Sequence, residues 1–562
     1  MLRRRLIVCV CFGRLLFACS NPAFDSTLAA GPDSSAGSGS DSSAGSGSDS
    51  NAGSGSDSSA GSGGADTPSQ AGAASETASG GAAGDGGADT TLTGGTAPSG
   101  AGSAGNVGSA GPPVTVSGGG DGPVTVPGGG DVTSVVTSPL ILTPSFDPSI
   151  YDYYVRCAAG DNALTVTSTD GNGTASQQLT LTPDQLAAVD SRYWIHCLPS
   201  DFPTITVTRG GTPTPGYYLV NSSLYGTVLD TNGVPVWYTR GSAAINVALL
   251  APNTLSLMPN YKPDLGNDST TPFEILSLTS DSVTTVASPD GQTDVHEFET
   301  LANGDHLLFT APLTTGVDLT GLQSFGADSA ILDCKVLELS PSGDVVWSWL
   351  ASDHVDPARE SLEPLAMTAL STDFVDVFHC NSIAVDDIGN LMISMREANA
   401  VFYVNRSTGQ VEWKLGGTAY NKDGAALIAV QGDSQTTFSM QHDARFLPNG
   451  DVSLFDDHGA GPGVARGIEY AIDHVAGVAT PVFQFLGTAA SLYQGSFRRY
   501  ADGASVIGWG YVPTDPRTFT EVDATGKDVF DVAFGAGNVS YRAVKVPLSD
   551  LDIGLLRSAS GK

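Results

Sequence analysis

Residues 393–417 read ISMREANAVFYVNRSTGQVEWKLGG. Two runs rich in β-branched and aromatic residues flank a polar turn that closes on Gly409, which is the pattern of a β-hairpin. Its ending, Gly409-Gln-Val-Glu-Trp413, recurs as Gly233-Val-Pro-Val-Trp237 and Gly343-Asp-Val-Val-Trp347, and in degraded form after Gly477 (GVATPVFQF) and Gly526 (GKDVFDV). An aromatic that follows a turn glycine on a strand can lock one sheet against the next. Upstream of these hairpins lies a second set of turns, Asn303-Gly304, Ile388-Gly389, Asn449-Gly450 and Asp502-Gly503, spaced by 85, 61 and 53 residues. The longest spacing is inflated by an insertion around 313–330. Units of about 50–60 residues with two hairpins each are propeller blades. Residues 217–557 divided by that period give about six blades, and no stretch of helical period interrupts them. The expected fold is all-β: a six-bladed β-propeller over 216–562.

Ahead of it, residues 136–215 read as a small β-sandwich of the immunoglobulin or cadherin kind. Short alternating strands (LILTPSF, YDYYVRC, ALTVTST, SQQLTLT, YWIHC, TITVTRG) are separated by Pro, Gly, Asn and Asp turns, and Thr212-Pro-Thr-Pro-Gly216 marks the boundary. Residues 20–135 collapse to Gly, Ser, Ala, Asp and Thr, with DSSAGSGS-type octets and no Lys or Arg. Nothing there offsets the entropy of ordering a chain, so a disordered tether is expected, with an r.m.s. span of about 60 Å. Residues 1–19 combine Arg3, Arg4 and Arg5 with a short apolar run and Leu16-Phe-Ala-Cys19. That is the layout of a bacterial lipoprotein signal with Cys19 as the acylated residue, exporting the chain to the cell envelope on a lipid anchor. The alternative is an ordinary export signal with Cys19 incidental.

From residue 136 onward, 48 acidic residues face 21 basic ones, a net of −27 within a chain total of −34. Such a surface repels nucleic acid and anionic lipid, which excludes a nucleic-acid partner. In an exported protein, Cys157 and Cys197 are disulfide candidates within one small region, while Cys334 and Cys380 could pair or stay free.

Blade equivalence picks out the candidate site. His296 stands 8 residues before Gly304, His379 stands 10 before Gly389, and His442 stands 8 before Gly450. Three of eight histidines thus share one blade position, at the entry to the innermost strand, where equivalent residues converge on the propeller axis. Arg396, 7 residues after Gly389, has no counterpart in the other blades. Each histidine could instead cap its own blade. A metal ion held by the three imidazoles, with Asp443 or Asp457 nearby, and a non-catalytic binding propeller are the rival readings; a fixed cation at Arg396 opposes the first. His306, His354, His458 and His474 read as surface or turn residues.

The segments HCNSI (379–383), 393–417, QHDARFLPNGDVSLFDDHG (441–459) and RGIEY (466–470) resemble the bacterial arylsulfate sulfotransferases, six-bladed propellers that move a sulfuryl group between phenols without a nucleotide donor. The resemblance spans about 293–470. It implies a transiently sulfated histidine at His442, with His296, His379 and Arg396 around the sulfuryl group and Asn381 and Asp443 contacting substrate. Aryl sulfates and phenols are then the partners, with no cofactor and no metal. The chain departs from the best-known members, whose propeller disulfide is closely spaced, because Cys334 and Cys380 lie 46 residues apart.

Overall fold

The computed structural model describes residues 124–126, 131–322, 325–369 and 372–562. The export signal, Cys19 and most of the tether lie outside them. Within the described part, strands dominate, with short helices at Ala351–His354 and Ile553–Ala559. None of these helices is long and apolar enough to cross a membrane.

Six four-stranded antiparallel sheets follow one another along the chain. Blade 1 joins Tyr217–Ser222, Tyr225–Leu229 and Pro235–Arg240 to a strand from the C-terminal end, Ala543–Val546, which pairs with Tyr217–Ser222 and closes the ring. Blade 2 runs from Ile245–Ala251 to Ser282–Val286, and blade 3 from Phe298–Thr300 to Val345–Leu350. Blade 4 runs from Cys380–Val385 to Val411–Gly416, blade 5 from His442–Phe446 to Val478–Leu486, and blade 6 from Ser496–Arg499 to Asp528–Phe534. An extra strand, Ala426–Val430, bridges the outer edges of blades 4 and 5.

The turn glycines sit where the repeat requires them. Gly304, Gly389, Gly450 and Gly503 follow the innermost strands, and Gly233, Gly343, Gly409, Gly477 and Gly526 precede the outermost ones, all with positive φ. Blade 2 lacks both glycines. Its turns use Asn253 (φ 58°) and Asp281 (φ 49°), residues whose short polar side chains tolerate the left-handed region. The repeat pattern is silent there for that reason. The aromatics of the repeat lie on outermost strands and tie neighbouring blades: Trp347 Nε1 donates to the Arg406 carbonyl and Trp349 Nε1 to that of Gly409.

Residues 131–199 form two facing sheets around one core that includes Val135, Tyr153, Val155, Val166, Leu181 and Ile195. Cys157 is bonded to Cys197, bridging two neighbouring parallel strands, and Cys334 to Cys380. Two boundaries differ from the sequence expectation. The stretch assigned to the tether contributes the strand Val124–Val126, parallel to Leu186–Val189, and the start of Ser134–Ser138. TITVTRG, assigned to the sandwich, forms Ile205–Arg209, which pairs with Asp528–Phe534 as a fifth, outer strand of blade 6. Its alternating pattern fits either sheet edge; only the available partner decides.

The six innermost strands are cross-linked at the axis by a buried ionic network. Glu297 accepts from Arg445 at 2.6 Å and from Arg542 at 2.7 and 3.1 Å. Asp443 accepts two bonds from Arg498 at 2.8 Å and pairs with Arg445 at 2.9 Å and Arg542 at 3.2 Å. Arg542 also donates to the Asn381 carbonyl and to Asn246 Oδ1. Each blade contributes at least one of these groups. Against the upward push of burial, the charges of Arg498, Arg445 and Arg542 hold the Asp443 carboxyl at about 2.

Removing one member of a buried charge network leaves its partners uncompensated, at a cost of about 3–5 kcal/mol. Asp443 has φ 55°, which Asn also tolerates, so Asp443→Asn isolates the charge. Asp443→Asn is expected to lower unfolding free energy by about 3 kcal/mol or more in denaturant titrations; a loss below about 1 kcal/mol would show that the network does not hold the axis.

Candidate functional site

The three histidines stand at the entries of three successive innermost strands: His296 two residues before Phe298–Thr300, His379 just before Cys380–Val385, and His442 opening His442–Phe446. All three are largely buried, and the rings of His296 and His379 lie 5.0 Å apart, edge to face.

Each imidazole is braced in the same way, through Nδ1 to a buried aspartate. The distances are 2.7 Å for His296 and Asp294, 2.7 Å for His379 and Asp376, and 2.6 Å for His442 and Asp457. Sequence reading did not single out Asp294 or Asp376, although both were legible as an acid two or three residues ahead of its histidine. Asp457 stands 15 residues after His442 and reaches it only because the hairpin sets His442 opposite Phe455. An aspartate on Nδ1 fixes each ring, and a ring that holds its proton on Nδ1 keeps a lone pair on Nε2. Burial lowers His442 well below the ordinary imidazole value, reinforced by the charges of Arg396, His379 and His296. Burial also raises Asp457 well above the usual carboxylate range. Both shifts oppose an imidazolium–carboxylate pair, so the resting His442 ring is neutral and available as a nucleophile.

Arg396 opens a short 3₁₀ turn, Arg396–Ala398, directly after the second strand of blade 4. Its guanidinium bonds Glu397 Oε1, the Leu492 carbonyl at 3.2 Å and Met440 Sδ at 3.3 Å. Burial pushes the Glu397 carboxyl up to about 8. A cleft beside the cluster is lined by Asn267, Asp294, His296, Thr310, Asp376 and His379, with Phe309, Leu332 and the Cys334–Cys380 disulfide as its apolar wall. Asn267 Nδ2 lies 3.4 Å from His379 Nε2.

Two expected substrate contacts take other roles. Asp443 is fully buried in the axial network, and Asn381 donates to the Gln441 carbonyl at 2.7 Å while its own carbonyl accepts from Tyr541 and Arg542. Both position the strands that carry the histidines. The three imidazoles also do not form the metal set considered from sequence. Among the described residues, the group whose ligand atoms all lie within 4.8 Å of one another is Asp376, His379 and Glu397, and the Arg396 guanidinium is bonded to its Glu397. His458 contacts Asp456 and the Pro462 carbonyl and stands apart from the cleft.

A six-bladed propeller with three aspartate-braced imidazoles and a buried arginine at its axis has the groups that nucleophilic or acid–base chemistry needs. Residues 270–535 match the family model of arylsulfotransferase (ASST), and the chain carries an arylsulfotransferase-family domain. No curated protein matches the chain. Among solved structures, a protein of unknown function from Bacteroides caccae is 12% identical, covering 59% of this chain and 99% of its own, with a TM-score of 0.36. An auxiliary nutrient binding protein from Bacteroides ovatus is 10% identical over 66% of this chain and 71% of its own, TM-score 0.27. A catalytically inactive virginiamycin B lyase from Staphylococcus aureus with quinupristin is 7% identical over 58% and 88%, TM-score 0.30.

The tautomer is open to a direct test. In ¹⁵N-histidine spectra, His442 is expected to keep an unprotonated Nε2 from neutral pH down through 6.5, the value of a free imidazole. A midpoint at or above 6.5 would contradict the site's electrostatics.

Proposed function

We propose that this chain transfers a sulfuryl group from an aryl sulfate ester to a phenolic acceptor through a sulfohistidine at His442, with no nucleotide sulfate donor. The observation that carries this is the arrangement of three aspartate-braced imidazoles around one permanently charged guanidinium, within a domain of the arylsulfotransferase family.

The Nε2 lone pair of His442 attacks sulfur and the S–O bond to the aryl oxygen breaks. The ring becomes cationic as it accepts the sulfuryl group, and the Asp457 carboxylate on Nδ1 stabilises that charge as it forms. Arg396 offers the donors not bound to Glu397, Met440 or Leu492 to the sulfuryl oxygens, and His379 donates to another. The acceptor phenol then attacks the sulfur and restores His442. The strong net negative charge of the chain makes the single guanidinium the local attractor for the anionic ester. Export is part of the same proposal: two disulfides fit an oxidising compartment, and acylated Cys19 would tether the propeller to the cell envelope.

With a chromogenic aryl sulfate, phenol release is expected to be accelerated by a second phenol, to follow ping-pong kinetics and to need no nucleotide. Dependence on an added nucleotide sulfate donor would sink the proposal. The activity's acidic limb should fall below pH 6.5, because the nucleophile is lost only when His442 is protonated and its affinity for the proton is lowered.

His442→Ala should abolish turnover, and alkaline-quench mass spectrometry should place the sulfuryl mass on the His442 peptide of the wild type. Arg396→Ala should lose about 10²–10³-fold in kcat, with Arg396→Lys recovering only part, since a point charge does not reproduce the planar fork. Near-full activity in His442→Ala would overturn the nucleophile assignment; sulfation at His379 would move it.

A further inference from the structure

Behind His296 lies a second carboxylate that the mechanism above leaves unused. Asp268 and Asp294 are directly opposed on the short antiparallel strands Asp268–Ser269 and Thr293–Asp294, part of a three-stranded sheet inserted around blades 2 and 3. Directly opposed residues place their side chains on the same face, with Cβ atoms about 5 Å apart. Both side chains are buried, at 1% and 5% exposure. Asp268 Oδ2 accepts from the Ala311 amide at 2.8 Å and from Thr310 Oγ1 at 3.3 Å, whereas its Oδ1 has no hydrogen-bond partner among the described residues. Asp294 Oδ1 accepts the His296 amide at 2.8 Å and lies 2.7 Å from His296 Nδ1.

The groups around this pair do not compensate two negative charges. Tyr261, Tyr541 and His296 face it, Asp333, Asp376 and His379 lie across the cleft, and neither Lys nor Arg lines that cleft. Two opposed, buried carboxylates without a cation retain one proton between them. A proton on Asp268 Oδ1 would also give that orphaned oxygen a bond to make, with Asp294 as acceptor. Burial and the Asp294 charge raise Asp268 well above the ordinary carboxyl range, in agreement with this geometry.

We propose that Asp268 and Asp294 share one buried proton, which passes through His296 to and from the phenolic oxygen, making Asp268 the reserve of an acid–base relay. The inference rests on the sulfuryl-transfer function proposed above. In the first half-reaction, the S–O bond breaks and the leaving oxygen takes the proton from His296 Nε2. The same imidazole takes the pair's proton on Nδ1, leaving both carboxylates ionised. In the second half-reaction, the acceptor's O–H proton goes to Nε2 as its oxygen bonds sulfur, and the Nδ1 proton returns to the pair. One proton leaves with the first phenol and one arrives with the second, so the cycle closes without any other acid or base. A carboxyl pair that gives up its last proton reluctantly suits a partner as weakly acidic as a phenol, about 10.

The test is leaving-group dependence, which a structural role of Asp268 would not move. Asp268→Asn keeps an oxygen for Ala311 and Thr310 and offers an N–H to Asp294, but it holds no transferable proton. With 4-nitrophenyl sulfate, whose leaving group needs little protonation, the variant should stay within about threefold of wild type. With unsubstituted phenyl sulfate it should lose about 10²-fold in kcat. Asp294→Asn, which breaks the pair from the other side, should show the same steepening with leaving-group basicity and stands in if Asp268→Asn does not fold. An equal loss across both donors, or no loss with either, would overturn the relay. Wild-type protein that transfers sulfuryl groups from no donor would instead defeat the underlying function, a result distinct from either.

Discussion

Charged groups cannot be buried at a propeller axis unless they are paired, and this requirement organises the molecule. Three arginines, Arg445, Arg498 and Arg542, meet Glu297 and Asp443 where the innermost strands converge, with Glu299 at the edge of the cluster. Because the partners come from different blades, no sheet can slide along the axis without stripping a buried charge. The histidines are set by the same contacts: His296 adjoins Glu297, His442 adjoins Asp443, and His379 is two residues from Asn381, whose carbonyl binds Arg542. The approach of His296 to His379 and the placing of His442 at the equivalent strand entry therefore follow from the ionic lock beside them.

Above that lock the chemistry is tuned by pairs. Every imidazole has its own aspartate, and Arg396 has Glu397, so the site holds several buried carboxylates beside a single fixed cation. Burial drives Asp457, Glu397, His379 and His442 toward their neutral forms. A neutral imidazole with its proton on Nδ1 is a nucleophile, and a neutral carboxyl is a proton store. Both become charged only as the reaction proceeds, when the surrounding dipoles and counter-charges are already in place. The wall of the cleft is covalently held as well. The Cys334–Cys380 bond ties the third strand of blade 3 to the residue that follows His379.

Much of this was written in the sequence. The recurrent turn glycines mark both hairpins of blades 3 to 6 and one of blade 1, because positive φ is cheapest for glycine. Their spacing supplied the blade count, and the shared offset of His296, His379 and His442 from those turns supplied the candidate site. Outer strands such as Val478–Leu486 alternate half-buried and exposed residues and announce themselves, whereas inner strands such as Leu391–Met395 are buried throughout and carry no such alternation. Blade 2 was hidden because Asn253 and Asp281 turn its chain in place of glycine.

What only the tertiary structure decided is which polar residue meets which. Asp443 and Asn381 sit in the same short motifs as the site histidines, and nothing local distinguishes a substrate contact from a strut; the arginines that claim Asp443 lie 2, 55 and 99 residues away. Asp457 reaches His442 across a hairpin, and Asp268 faces Asp294 across an inserted sheet. Sequence determines local backbone preferences and periodicity, which are properties of near neighbours. The partner of a buried charge is a property of long-range packing, because it is fixed by whichever group the closed ring of blades brings into the same dry volume.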